Sequence, residues 1–253
     1  MREALSFAEV KKMGEKSPIF LDLDLCLEEG VVTAVIVASD QMKRHLSRLA
    51  TGLESPDAGE IRWWGKKTPD ALTAVLSSPA LLPWKNVLDN MLLPLRLKKI
   101  LTKETRERAL ELLEVLELKD LAKKKPRALT LAQQRQVAMI RAFAEQPRFF
   151  LLEDPFVVEG EEDRLRLQEE FLELWRRPRP TVLFLTSSVS EAVFIGERVL
   201  ILTDTPGRVF EEVKVQESHP RTRYFRMTQA FSQACHVVGR ALEVAMSKPT
   251  SWR

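Results

Sequence analysis

An α/β fold is predicted by three features of this 253-residue sequence. Short apolar runs of strand character, at residues 31–37, 149–152, 181–185 and 199–202, alternate with segments of helical spacing. A stretch at about 85–146 breaks that alternation with helices alone. Segment 19–27 alternates apolar and polar residues with period two (Phe20, Leu21, Leu23, Leu25, Leu27) and is closed by Glu28-Glu29-Gly30.

Each element follows in order. The run 31–37 reads as a buried strand and 46–52 as a helix. Residues 52–59 form a turn, and 60–65 a short strand carrying Trp63 and Trp64, for which packing is expected over base stacking. Residues 74–76 read as a strand. In the helical section, 103–118 places Ala109, Leu110, Leu112, Leu113 and Leu116 at helical spacing, and a second helix covers 131–146. The strand 149–152 ends in Glu153-Asp154-Pro155. An amphipathic helix covers 163–175, with Phe156 before it as a core residue. After the strands 181–185 and 199–202, Pro206-Gly207 turns the chain into 208–215. The tail 226–246 is helical, with Phe231, Cys235, Val238, Leu242 and Ala245 on one stripe.

Composition narrows the class. Apolar content of 45% and charged content of 30% describe a globular chain with room for one well-filled core and a smaller lobe. No apolar run nears the roughly 18 residues of a membrane span, and the start predicts no signal peptide. A net charge of +3, with acid and base interleaved, argues against nucleic acid as a partner. Cys26 and Cys235 form no framework, so a reducing, cytoplasmic setting is expected. His45, His219 and His236 have no ligand spacing, and no metal site is expected. Glycine numbers 9, where about 7% of an average chain gives roughly 18.

That scarcity bears on residues 37–45. A strand, a tight loop ending in Lys43 and a helix is the layout of a phosphate-binding loop, yet this loop has no glycine. Several phrases then carry a resemblance. They are residues 50–61, the stretch 79–90 with Pro83 and Trp84, the helix 134–142, Leu152-Glu153-Asp154-Pro155-Phe156, Glu191-Ala192, and Pro206-Gly207-Arg208-Val209. Over about residues 5–215 the chain resembles the ATP-binding subunit of ABC transporters, most of all the nitrate/sulfonate/taurine importer branch.

The resemblance implies a P-loop NTPase fold: a RecA-like α/β core, an antiparallel β edge subdomain and an α-helical subdomain. It implies an ATPase-like domain at 1–215, its helical part at about 85–146, and a helical extension at 216–253. It also locates departures. The family's loop glycines fall at Val37, Asp40 and Met42, where Asp40 and Met42 are expected to crowd the phosphate cradle. Lys43 keeps the lysine position and is expected to pair with a carboxylate. The hydroxyls expected beside Mg2+ are Arg44 and His45. Ser77 stands for the glutamine-loop residue, Thr130-Leu131-Ala132 for the signature motif, Ser187 for the switch histidine. Glu153 and Asp154 invert the family's order. An Arg44–Glu153 ion pair in place of Mg2+ is expected, and no stacking aromatic stands near Lys12 and Met13.

Together these imply a catalytically degenerate subunit, with no cofactor expected, peripheral on the inner face of the cell membrane. It docks on an integral membrane permease through the region of Pro83 and Trp84 and pairs with a second ATPase subunit. The alternatives are an active ATPase with an atypical loop, using ATP and Mg2+, and a regulatory scaffold without a permease.

Overall fold

The computed structural model describes residues 2–67 and 72–247. The last six residues of the expected C-terminal extension, 248–253, lie outside the described residues. The chain divides into two compact units. One comprises Met1–Leu72, Arg148–Glu153 and Arg179–Arg253, the other Thr73–Pro147 and Asp154–Pro178.

The first unit holds two sheets. In one, β2 (Pro18–Glu28), β1 (Glu3–Met13) and β4 (Ala58–Trp63) lie side by side, antiparallel. In the other, β6 (Phe149–Glu153), β7 (Thr181–Thr186), β3 (Val32–Ile36) and β8 (Arg198–Leu202) run parallel, and β9 (Val209–Lys214) adds antiparallel to β8. Every residue of β3 and β7 is buried, as expected of parallel strands covered on both faces. A short strand, β5 (Leu72–Val75), stands at the boundary of the two units.

Strand β1 had no clear signature in sequence, because its period-two pattern is broken. Glu9 adopts φ 50°, and the register shifts between Phe7 and Val10. The bulge presses on the start of β4 at Gly59, where an added Cβ would lie 2.4 Å from the Glu9 carbonyl oxygen. Only glycine fits there. Trp63 is buried, its indole donating to the Ala50 carbonyl at 2.9 Å; the Arg148 guanidinium lies 3.9 Å over Trp64. Both tryptophans are packing residues.

Helix α1 (Asp40–Ala50) begins six residues before its expected start at 46. With no glycine in the loop, nothing opposes helical φ/ψ there, and Ser39 supplies a cap. Helix α6 (Val189–Ile195) is capped by Ser188. Helix α7 (Gln229–Ser247) buries Val238, Ala241 and Ala245. Arg221 ties the chain before α7 to the end of α6. Its guanidinium donates to the carbonyls of Val193 (2.7 Å), Gly196 (2.8 Å) and Glu217 (2.6 Å). Burial lowers its pKa to about 10, against the pull of Glu197 and Glu217.

The second unit is helical: α2 (Val87–Leu97), α3 (Lys103–Val115), α4 (Leu131–Ala144) and α5 (Glu161–Trp175). Helix α4 is buried over most of its length because it packs on the other three. Phe171 of α5 is fully buried, with the Phe143 and Phe156 rings each 6.1 Å away.

Candidate functional site

In the first unit, β3 delivers the chain to Val37, whose N–H donates to the Thr186 carbonyl at 3.1 Å. Ser39 keeps extended backbone and caps α1. Its hydroxyl accepts from the Met42 amide at 3.4 Å and its carbonyl from the Lys43 amide at 2.9 Å. One of the four leading amides, that of Met42, is therefore satisfied by the cap, and the Lys43 amide makes the first bond of the helix ladder. The carboxylate of Asp40 is 89% exposed and sits 3.0 Å from Nζ of Lys43, whose side chain is 6% exposed. It also complements the positive end of the helix dipole.

Two expectations are corrected here. Met42 does not crowd a phosphate cradle. It shares a helix face with Leu46 and Leu49, is buried, and its terminal methyl would lie 2.4 Å from a Cβ at Gly207. Arg44 forms no ion pair with Glu153 among the described residues. It is exposed, in one strip with Gln41 and Arg48, because α1 is already helical from Asp40.

His45 turns toward the loop after α1, where Nδ1 meets the Glu54 oxygens at 2.9 and 3.1 Å. Glu54 also takes the ammonium of Lys12 at 3.0 Å and the guanidinium of Arg48 at 3.4 Å. Burial works against ionisation of Glu54, but hydrogen bonds from Lys12 and His45 outweigh it and hold the carboxyl below its ordinary value. A cleft of about 710 Å³ opens beside His45 and Gln41, walled by the turn at 13–17. Its described lining includes no Phe, Tyr or Trp.

At the ends of the other strands, Glu153 closes β6, half-buried. Asp154 follows with φ 43°, in the left-handed region sparsely used by non-glycine residues. Ser187 is exposed just after β7. Its neighbour Thr186 donates to Glu191 at 2.9 Å and accepts from the Ser188 amide at 3.1 Å.

In the second unit, Thr130 caps α4 through a reciprocal capping box with Gln133, at 3.2 and 3.1 Å. Leu131 is 41% exposed as the first helical residue, and Ala132 is buried. Ser77 is brought to α4 by its carbonyl, which accepts from Arg135 at 2.8 Å. The same guanidinium donates to the Pro155 carbonyl at 3.1 Å. Arg141 donates to the carbonyls of Ala80 (2.9 Å) and Pro79 (3.0 Å). Burial lowers the pKa of both arginines, opposed by Asp154 for Arg135 and by Glu145 for Arg141. Asn90, fully buried, accepts from the Leu82 amide at 2.7 Å and donates to the carbonyls of Leu82, Asn86 and Lys85 at 3.1, 3.0 and 3.2 Å. On the loop so held, Pro83 is exposed and Trp84 is 68% exposed.

Sequence reasoning missed Arg135, Arg141 and Asn90. A signal existed for the arginines: both fall in the largely apolar run of α4, where a charge needs a partner. That the partners are carbonyls of a distant loop is not encoded locally.

Comparison with known proteins adds relatives of one kind. The family model described as ABC transporter matches residues 20–157. The aliphatic sulfonates import ATP-binding protein SsuB 2 of Pseudomonas fluorescens is 33% identical over 248 residues, covering 97% of this chain and 89% of that one. The taurine import ATP-binding protein TauB of Sinorhizobium fredii is 34% identical over 194 residues, covering 76% and 73%. Among solved structures, an ATP-binding cassette seen as a dimer in a post-hydrolysis state with ADP and Pi superposes with a TM-score of 0.72. It is 26% identical, covering 85% of this chain and 100% of that one.

Proposed function

The chain belongs to the ABC transporter ATP-binding family, and from that premise we propose that it is a catalytically degenerate subunit of an importer in the sulfonate/taurine class. The single observation that carries this reading is the early start of α1. Where the family needs a glycine loop whose amides converge on phosphate, residues 40–42 form a capped first helical turn, and Lys43 faces the Asp40 carboxylate. ATP with Mg2+ does not fit these residues. The Met42 and Lys43 amides are engaged by Ser39, and the exposed cation Arg44 replaces a metal-binding hydroxyl. Leu131 and Ala132 replace signature glycines that approach the partner's nucleotide, and no step of phosphoryl transfer is assigned to this chain.

In this reading the subunit works through its contacts. It sits at the cytoplasmic face, docks on a membrane permease through the Pro83–Trp84 loop, and pairs with a second ATPase subunit. No helix among the described residues is long and apolar enough to cross a membrane, in keeping with a peripheral subunit. The names of the relatives support the substrate class. Calorimetric titration of the purified chain with ATP-Mg2+ tests the reading: no heat of binding is expected at micromolar concentrations, and a micromolar Kd overturns it. A second reading, an active ATPase with an unorthodox loop, is favoured by the retention of Lys43, Glu153 and Asp154. It requires ATP turnover that disappears in Asp154→Asn.

A further inference from the structure

Between the end of β5 at Val75 and the start of α2 at Val87 the chain has no strand or helix. An irregular segment of this length ordinarily samples many conformations, and ordering it on binding slows and weakens association. Here it is fastened from behind at three places: Arg135 holds the Ser77 carbonyl, Arg141 those of Pro79 and Ala80, and Asn90 both backbone groups of Leu82 and the carbonyls of Lys85 and Asn86. Two guanidiniums against carbonyls form an expensive scaffold, since burial opposes their charge and apolar residues would pack at less cost. What the scaffold holds is exposed on the outer side: Pro83, and Trp84, a residue type enriched at the energetic centres of interfaces.

We infer that Asn90 and Arg141 are positioning residues that keep the segment 77–86 ready-formed for the permease, so that docking needs no nucleotide. The inference rests on the docking reading above and adds to it how the surface is maintained and what it is independent of. Each of these three fastenings lies within the second unit and comes from a protein side chain. A ready-formed surface acts on the association rate, whereas the side chains that touch the partner act mainly on dissociation.

The test measures binding of the full chain to the detergent-solubilised permease that co-purifies with it when tagged, with and without ATP-Mg2+. Trp84→Ala is expected to raise the dissociation rate about tenfold. Asn90→Leu and Arg141→Met are expected to slow association about five- to tenfold, leaving dissociation within about twofold, and Arg141→Lys to recover part of the loss. Nucleotide is expected to change the wild-type rates by less than about twofold. Association of Asn90→Leu and Arg141→Met at the wild-type rate overturns the inference while leaving docking intact, as does a tenfold effect of ATP. Failure of the wild-type chain to bind any permease instead removes the docking reading itself, and Trp84→Ala then changes nothing. Hydrogen exchange on the unaltered chain guards against misfolded variants. The Leu82 amide, bonded to Asn90, is expected to be protected about 100-fold or more, and exchange at the open-chain rate overturns the inference as well.

Discussion

Replacing Glu54 by Gln is expected to cost about 2 kcal/mol at neutral pH, and the cost is expected to vanish in acid. The Glu54 side chain is 15% exposed and receives Lys12 at 3.0 Å, His45 at 2.9 Å and Arg48 at 3.4 Å. A charge-assisted hydrogen bond in such a setting contributes about 1.5–3 kcal/mol, and a neutral one about 1 kcal/mol. Glutamine can keep the Lys12 bond in its weaker form, so that pair loses about 1 kcal/mol, with a similar loss at His45. Arg48 is half exposed and adds little. Lys12 retains Asp57 at 3.2 Å and the Ser55 carbonyl at 3.1 Å, which keeps the total below that of a stranded buried charge.

The sign with pH follows from the depressed pKa of Glu54. A carboxyl that is more acidic folded than unfolded contributes its full stability above the unfolded value and loses it as pH falls through the folded value. Urea unfolding of both proteins, followed by tryptophan fluorescence, is expected to show a gap of about 2 kcal/mol at pH 7 that closes to under about 0.5 kcal/mol once the carboxyl is protonated. A gap that is equal at both pH values, or absent at pH 7, refutes the reasoning, because the stabilisation would then not come from the ionised group.

Other predictions follow from packing and titration. Phe171→Ala removes a fully buried ring from the second unit and is expected to lower its stability by about 3–5 kcal/mol, read as a fall in the melting midpoint. Trp63→Phe strands the Ala50 carbonyl and is expected to cost about 1–3 kcal/mol in denaturant, whereas Trp64→Phe, at the half-exposed Arg148 stack, is expected to cost about 1 kcal/mol or less. His219 has its pKa lowered from 6.5 to about 3, by burial first and then by Arg221 and Arg179. The folded state resists the proton, so stability is fully present above the unfolded value and is lost as pH falls from 6.5 toward 3; His219→Phe is expected to flatten that slope in unfolding curves.

Where a local rule governs, the sequence was a sufficient guide. The runs at β3, β6, β7 and β8 were readable because burial on both faces leaves a continuous apolar stretch, and the stripes of α3, α4, α5 and α7 because burial of one face imposes a helical period. Strand β1 escaped because its bulge at Glu9 shifts that period, and the compensating Gly59 is some fifty residues away. The start of α1 escaped for a different reason: residues 40–45 read as a loop by analogy with a glycine-rich motif, while their own propensities and the Ser39 cap favour helix. The expected Arg44–Glu153 pair failed with it, since the six added helical residues carry Arg44 to the solvent face. At the candidate site the identities of the departing residues were legible, but their new occupations were not. That His45 serves Glu54, that Met42 joins the core at Gly207, and that Arg135 and Arg141 bind carbonyls are tertiary facts with no local signature.

Arg221 gives the C-terminal segment a meaning that its position after β9 conceals. The guanidinium closes the open carbonyls at the end of α6, the helix that follows Ser187, while α7 lies along the same helix and β8. A protein shortened at residue 215 would therefore lose more than an appendage: the carbonyls of Val193, Phe194 and Gly196 would lose their guanidinium donor, and the apolar backing of β8 would be stripped away. A boundary drawn at 215 cuts through packed structure, because α6 and β8 are completed by the residues that follow it.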